Sequence, residues 1–162
     1  MIDIKFGTDG WRAIIGKEYT TDNVARVSFA VADWLNENFD KPTVVIGHDC
    51  RFGGELFAET ATKVLCSNGV LVKLAKGFVS TPMVSLGVVK EEANLGVVIT
   101  ASHNPPSYNG YKLKGDFGGP LLQHDISDIE NRIPESNSTA YSNISIQTLL
   151  AEGKLIYVDL ED

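Results

Sequence analysis

Short apolar runs separated by helix-length amphipathic stretches constrain this chain more than any other feature. Thr43-Val44-Val45-Ile46-Gly47, Val70-Leu71-Val72-Lys73-Leu74-Ala75 and Leu95-Gly96-Val97-Val98-Ile99-Thr100 read as buried strands. Tyr111-Lys112-Leu113-Lys114 alternates apolar and polar residues and predicts a further strand with one polar face. Between these runs, Thr21 is placed to cap a helix whose apolar positions Val24, Val27, Val31 and Leu35 recur every three or four residues. A second helix is expected over 55–67, with Leu56, Ala61 and Val64 inward and Gly69 as its stop. A third starts at Ser80 or Thr81, ahead of Pro82, and runs to about Glu92. Strand and helix in alternation predict an α/β fold: a three-layer α/β/α domain with a mixed, mostly parallel sheet of about four strands.

Beyond Pro120 the pattern weakens. A helix is expected over 125–132, ended by Pro134, followed by a polar stretch rich in Ser and Asn. A last short helix at 147–153 and a strand at 155–158 follow. The expected organisation is a core over 1–134, with 135–162 as a loop, short helix and strand leading toward a second domain.

Charge and composition limit the function classes. The net charge of −7 argues against nucleic acid and against an anionic membrane surface as partners. No apolar run approaches the roughly 18–20 residues of a membrane span, and the amino terminus lacks the apolar stretch of a signal peptide. Cys50 and Cys66 match no metal-ligand spacing and are read as free thiols, and the expected location is the cytoplasm. The Asn137 and Asn143 sequons are read as chance occurrences.

An anionic ligand of so acidic a chain needs a local group of cations. Thr100-Ala101-Ser102-His103-Asn104-Pro105 directly follows an apolar strand, where open α/β sheets form their ligand crevices. Ala101 and the Pro105-Pro106 pair leave the Ser102 hydroxyl exposed on a stiff turn. Adjacent side chains seldom face one another, so Ser102-His103 is no hydrolase dyad, and the Gly-x-Ser-x-Gly elbow is lacking. Gly47-His48-Asp49-Cys50-Arg51 leaves another strand, Phe6-Gly7-Thr8-Asp9-Gly10-Trp11-Arg12 is turn-rich, and Asn109-Gly110 reads as a turn before Lys112. Arg12, Arg51 and Lys112 then provide cations near a serine, as a phosphate requires. Gly115-Asp116-Phe117-Gly118-Gly119-Pro120 has neither the Walker nor the dinucleotide spacing and reads as a turn. His48 is assigned a structural role, and His124 with Asp125 and Asp128 a solvated helix start.

These residues resemble the α-D-phosphohexomutases, a family that includes phosphoglucomutases, phosphomannomutases and phosphoglucosamine mutases. Residues 100–105 are similar to its phosphoserine signature, 6–12 to its amino-terminal motif and 109–112 to its third motif. Asp49-x-Arg51 and Ser80-Thr81-Pro82 also match in order. The resemblance implies that Ser102 carries a phosphoryl group and passes it to a hexose monophosphate, glucose or mannose, through a bisphosphorylated sugar. Arg12 and Lys112 would then stabilise charge, and His103 would assist proton transfer. The resemblance also implies that Thr8, Arg51, Asn104 and Asn109 bind substrate or phosphate, and that Mg²⁺ binds Ser102 through its phosphate.

The family's Asp-Gly-Asp-x-Asp-Arg metal loop and Gly-Glu-x-Ser-Gly sugar-reading loop are not in this sequence. The expectation is therefore a first domain, inactive alone, whose partners are a phosphorylated hexose and the enzyme's remaining domains. The alternatives are a non-catalytic phosphosugar-binding or regulatory module, and a phosphoglucosamine or phosphopentose mutase domain. Trp11-Arg12-Ala13 and Pro106-Ser107-Tyr108 favour the phosphoglucomutase/phosphomannomutase branch.

Overall fold

A computed structural model describes residues 2–7, 10–136 and 139–161. In chain order the elements are β1 (Trp11–Ile14), α1 (Thr21–Asn38), β2 (Thr43–His48), α2 (Gly54–Ser67), β3 (Leu71–Ala75) and α3 (Thr81–Lys90). Then come β4 (Leu95–Ile99), β5 (Tyr108–Gly115), α4 (Gln123–Asn131), a 3₁₀ turn (Thr139–Asn143), α5 (Ile146–Ala151) and β6 (Leu155–Val158). One mixed sheet runs in the order β1-β5-β4-β2-β3-β6. β4, β2, β3 and β6 are parallel, while β5 runs antiparallel to both β4 and β1.

The expected three-layer architecture is present, with six strands rather than about four. The unforeseen strand is β1, where Trp11 and Ala13 point into the core and Arg12 and Ile14 lie half-buried. Four residues next to a glycine are too short a stretch for period-two alternation to stand out. Its pairing also lengthens β5: Ala13 lies opposite Asn109 and Arg12 opposite Gly110, so Asn109-Gly110 is strand and not turn. β6 pairs with β3 in parallel, from Val72 opposite Leu155 to Ala75 opposite Val158. The 146–158 segment thus extends the same sheet, and Leu149 and Leu155 join the core of residues 1–134.

Apolar periodicity explains the helices. Val24, Val27, Val31 and Leu35 of α1 have no accessible surface, and α1 with α2 covers one face of the sheet. The cap of α1 is Thr20, one residue before the expected Thr21; its extended backbone lets Oγ1 accept from the Asn23 N–H at 3.2 Å. In α2 the buried row is Phe57, Ala58, Ala61, Val64 and Leu65, while Leu56 faces solvent. Phe57, Ala61 and Leu65 recur at four-residue steps and form the inner ridge, and Leu56, one position earlier, falls outside it. Helix α3 covers the other face, through a smaller cluster of Val45, Val79, Val84, Val88 and Val98. It begins at Ser80, whose Oγ accepts from the Met83 N–H, with Pro82 in the first turn, and stops two residues short of the expected end.

Among the described residues no helix is long and apolar enough to cross a membrane. Cys50 is exposed and Cys66 buried, and both are free thiols.

Candidate active site

The sheet brings two loops and two strands together at one end. β2 and β4 are parallel neighbours, so Asp49-Cys50-Arg51 and Ala101–Ser107 leave the sheet side by side at their carboxyl ends. β5 then returns antiparallel beside β4 and carries Lys112 back toward the second loop, with Val98 opposite Lys112. β1 adds Arg12 opposite Gly110. Side chains of a strand alternate faces, so Gly110 and Lys112 share a face with Arg12. Trp11, Ala13, Tyr111 and Leu113 lie in the apolar cluster shared with α1 and α2, so Arg12 and Lys112, which alternate with them, face the other side of the sheet, the side that α3 covers.

Lys112 Nζ donates a hydrogen bond to Ser102 Oγ at 2.9 Å. Arg12 Nη1 donates to Asn104 Oδ1 at 2.8 Å, which holds the guanidinium against the same loop. Ser102 is exposed and takes φ of +48°, a left-handed backbone that costs a non-glycine residue about 1–3 kcal/mol. Such an outlier persists only where its surroundings over-determine it, and here they do. The Ser102 N–H donates to Thr100 Oγ1 at 3.2 Å, and the Asn104 N–H donates to the Ala101 carbonyl at 3.0 Å. Thr100 Oγ1 in turn donates to Asp49 Oδ2 at 2.5 Å.

Glycines make the close approach of these strands possible. A Cβ on Gly110 would lie 2.5 Å from the Thr100 carbonyl oxygen and 2.7 Å from Arg12 Cγ. One on Gly10 would collide with the Tyr111 carbonyl oxygen, and Gly10 has φ of +89°. Beneath Gly110 the Tyr19 hydroxyl, fully buried, donates to the Gly110 carbonyl at 2.8 Å. Burial pushes its pKa well up, with the charges of Tyr111 and Asp49 adding to the shift, so Tyr19 stays a neutral donor.

Sequence-expected site residues divide into two groups. Ser102, Lys112, Arg12 and Asn104 come together, and His103 lies exposed on the same turn. Asn109 and Arg51 are engaged by the protein itself. Asn109 has no accessible surface; its Nδ2 donates to the Phe52 carbonyl at 3.3 Å and its Oδ1 accepts from the Gly110 N–H at 2.8 Å. It therefore braces the start of β5 against the Phe52 backbone. Arg51 directs its fork inward: Nη2 donates to the Ser102 and Asn104 carbonyls at 2.7 and 2.6 Å, and Nη1 to those of Pro105 and Tyr108 at 2.8 and 3.1 Å. Both Nη atoms are thus committed to backbone carbonyls. Thr8 lies outside the described residues.

His48 is buried, with Nδ1 donating to the Asp49 carbonyl at 2.8 Å and its ring edge-on to Phe78. Sequence reasoning missed Thr100 and Asp49 as partners of the Ser102 turn; a threonine two residues before a serine is the signal of such a side-chain-to-backbone turn. A cavity of about 490 Å³ lies elsewhere, between α1, α2 and the residues Pro134, Ser136, Ala140, Tyr141 and Ile144, and none of the site residues lines it. Among the described residues no three His, Cys, Asp or Glu side chains group to hold a metal ion. Asp49, whose carboxylate accepts from Thr100 beside the Ser102 turn, is also bonded by the Arg51 N–H. The described side chains therefore do not make a Mg²⁺ site by themselves, and no step below runs through a metal.

The family profile described as phosphoglucomutase/phosphomannomutase, alpha/beta/alpha domain I, matches residues 3–140. The chain belongs to this family. A phosphoglucomutase of Staphylococcus saprophyticus subsp. saprophyticus is 38% identical over 122 residues, 74% of this chain and 22% of that protein. A phosphoglucosamine mutase of Clostridium acetobutylicum is 37% identical over 132 residues, 82% of this chain and 29% of that protein. A solved Thermus thermophilus protein assigned as a phosphomannomutase superposes with a TM-score of 0.87 at 36% identity, over 98% of this chain and 34% of that one. The chain thus spans between a fifth and about a third of the length of these phosphosugar mutases. As a phosphohexomutase domain I, it places its Ser102 turn at the strand ends where the fold forms its crevice.

Proposed function

We propose that this chain is the phosphoserine-bearing domain of a phosphosugar mutase that interconverts hexose 1-phosphate and hexose 6-phosphate, with glucose or mannose as the sugar. One observation carries the reading: Lys112 Nζ lies 2.9 Å from the Oγ of a serine held in left-handed backbone, beside Arg12, in a chain of net charge −7. Two converging cations in an acidic protein favour a phosphate at that hydroxyl.

In the forward step a sugar hydroxyl oxygen attacks the phosphorus, and the bond from phosphorus to Ser102 Oγ breaks as the new P–O bond forms. Lys112, already a donor to Oγ, stabilises the negative charge that develops there and supplies the proton. Arg12 neutralises the phosphoryl oxygens, and His103 accepts the proton released by the sugar hydroxyl. Transfer of this kind rests on positioning and charge neutralisation, which two fixed cations provide. Return of the sugar's other phosphoryl group to Ser102 regenerates the starting state and leaves the isomeric sugar phosphate. The metal expected from the resemblance would be completed by carboxylates beyond this domain, and the domain alone is expected to be inactive.

Intact mass and peptide mapping of the protein from its native host test the reading. The expected result is one phosphoryl group on Ser102, lost in Ser102→Ala. A Ser102→Ala enzyme, expressed from the uncut reading frame, that retained full mutase activity would sink the assignment. Relatives of both the phosphoglucomutase and phosphoglucosamine mutase kinds match at 37–38% identity, so sugar preference is read by assaying glucose, mannose and glucosamine 1-phosphates in parallel.

A further inference from the structure

Arg51 donates to four backbone carbonyls, those of Ser102, Asn104 and Pro105 in the loop and of Tyr108 at the start of β5. Its Nε lies 3.8 Å from Asp49 Oδ2, and its own N–H donates to Asp49 Oδ1 at 3.0 Å. The same carboxylate accepts from Thr100 Oγ1, which in turn accepts the Ser102 N–H. Asp49 therefore ties together the two sides of the Ser102 residue: the N–H through Thr100 and the carbonyl through Arg51. Both Asp49 and Arg51 side chains are partly buried, so this bridge is screened less by salt than a fully exposed pair.

We propose that Asp49, Arg51 and Thr100 form a positioning device that holds Ser102 in its left-handed backbone with Oγ on Lys112, and that Arg51 is not a phosphate ligand. The inference rests on the mutase reading for its kinetic consequence, and on the geometry alone for its conformational one. A residue at φ of +48° relaxes to right-handed or extended backbone unless it is tethered on both sides. Peptide planarity extends the effect by one residue. A trans peptide carries its N–H opposite its C=O, so pulling the Ser102 carbonyl onto Arg51 turns the His103 N–H away from Arg51. Loss of the fork frees that peptide as well as the serine.

Two variants separate positioning from phosphate binding. Arg51→Lys keeps the positive charge but cannot span four carbonyls; Thr100→Val removes the hydroxyl bridge at nearly constant shape. NMR of the 162-residue chain reads the Ser102 backbone from its Cα and Cβ shifts and couplings, and the Lys112–Ser102 proximity from cross-relaxation. Expected is a left-handed Ser102 in the wild-type chain and a conformationally averaged one in both variants, with the shifts of β2, β3 and β6 unchanged. In the enzyme expressed from the uncut reading frame, both variants are expected to lose about tenfold to a hundredfold in kcat with KM for the sugar phosphate nearly unchanged. Should Arg51→Lys raise KM at constant kcat, Arg51 is a phosphate ligand and the proposal is wrong. Ser102 signals unmoved in both variants overturn it equally. A Ser102 that carries no phosphoryl group in the wild-type enzyme defeats the mutase reading instead, and the NMR comparison still decides whether the device holds the turn.

Discussion

At the scale of single residues, the site depends on what is missing as much as on what is present. Gly110 lets β1 and the Ser102 turn approach from both sides. Gly110→Ala is expected to destabilise the domain by about 1–3 kcal/mol and to displace Arg12, since its Cβ would meet backbone oxygens as well as a flexible stem. Urea unfolding measures the first effect, and mutase activity of the complete enzyme the second. The two thiols make a second contrast. Burial raises the Cys66 pKa from 9.0 to about 11, against the lowering effects of a backbone hydrogen bond from Val72 and the Lys154 charge. The folded chain then binds a proton that the unfolded chain has released between those values, so stability falls as pH rises from about 9 to 11. A urea midpoint that rises over that interval would contradict this sign. Iodoacetamide at neutral pH is expected to label exposed Cys50 and to leave Cys66 until the chain unfolds.

At the scale of elements, the order of the strands places the chemistry. β2 and β4 adjoin only because α2 and α3 carry the chain to opposite faces of the sheet, and their adjacency sets Asp49 beside Thr100. Among the described residues helix α3 is the helical cover on the Lys112 face, so its start matters to the site. Ser80→Ala removes the oxygen that accepts the Met83 N–H, and is expected to cost about 1 kcal/mol. Thermal unfolding of the variant checks this, with Ser85→Ala, away from the cap, as the reference. Helices and central strands are legible from apolar period alone: Val24, Val27, Val31 and Leu35 are each fully buried, as their spacing implies. Leu56 misleads because its neighbour Phe57 sits on the better-spaced ridge. β1 and the first residues of β5 escape the pattern together, since each is extended by the other and neither shows a run by itself.

At the scale of the whole molecule, the sheet does not end at the core drawn from composition. Removal of residues 146–162 would strip β6 from the edge of β3 and take Leu149 and Leu155 out of the main apolar cluster. Each buried leucine contributes roughly 1.5–3 kcal/mol, and the bared β3 edge offers an unpaired ladder. The truncated chain is expected to melt well below the parent and to aggregate, as circular dichroism and size-exclusion chromatography would show; an unchanged melting temperature would make β6 an ornament. The α/β class, most of the helices and strands, and the choice of Ser102, Lys112 and Arg12 as candidate site residues are written in the order of the amino acids. They follow from local periodicity, strand-end position and charge, which neighbouring positions display together. The folded molecule alone reveals that Arg51 donates to four backbone carbonyls, that Asn109 is buried, and that β6 joins the sheet. Arg51 and Ser102 lie 51 positions apart, and Asp49 and Thr100 equally far. What such side chains bond to is set by which strands become neighbours, and short-range pattern carries no record of that.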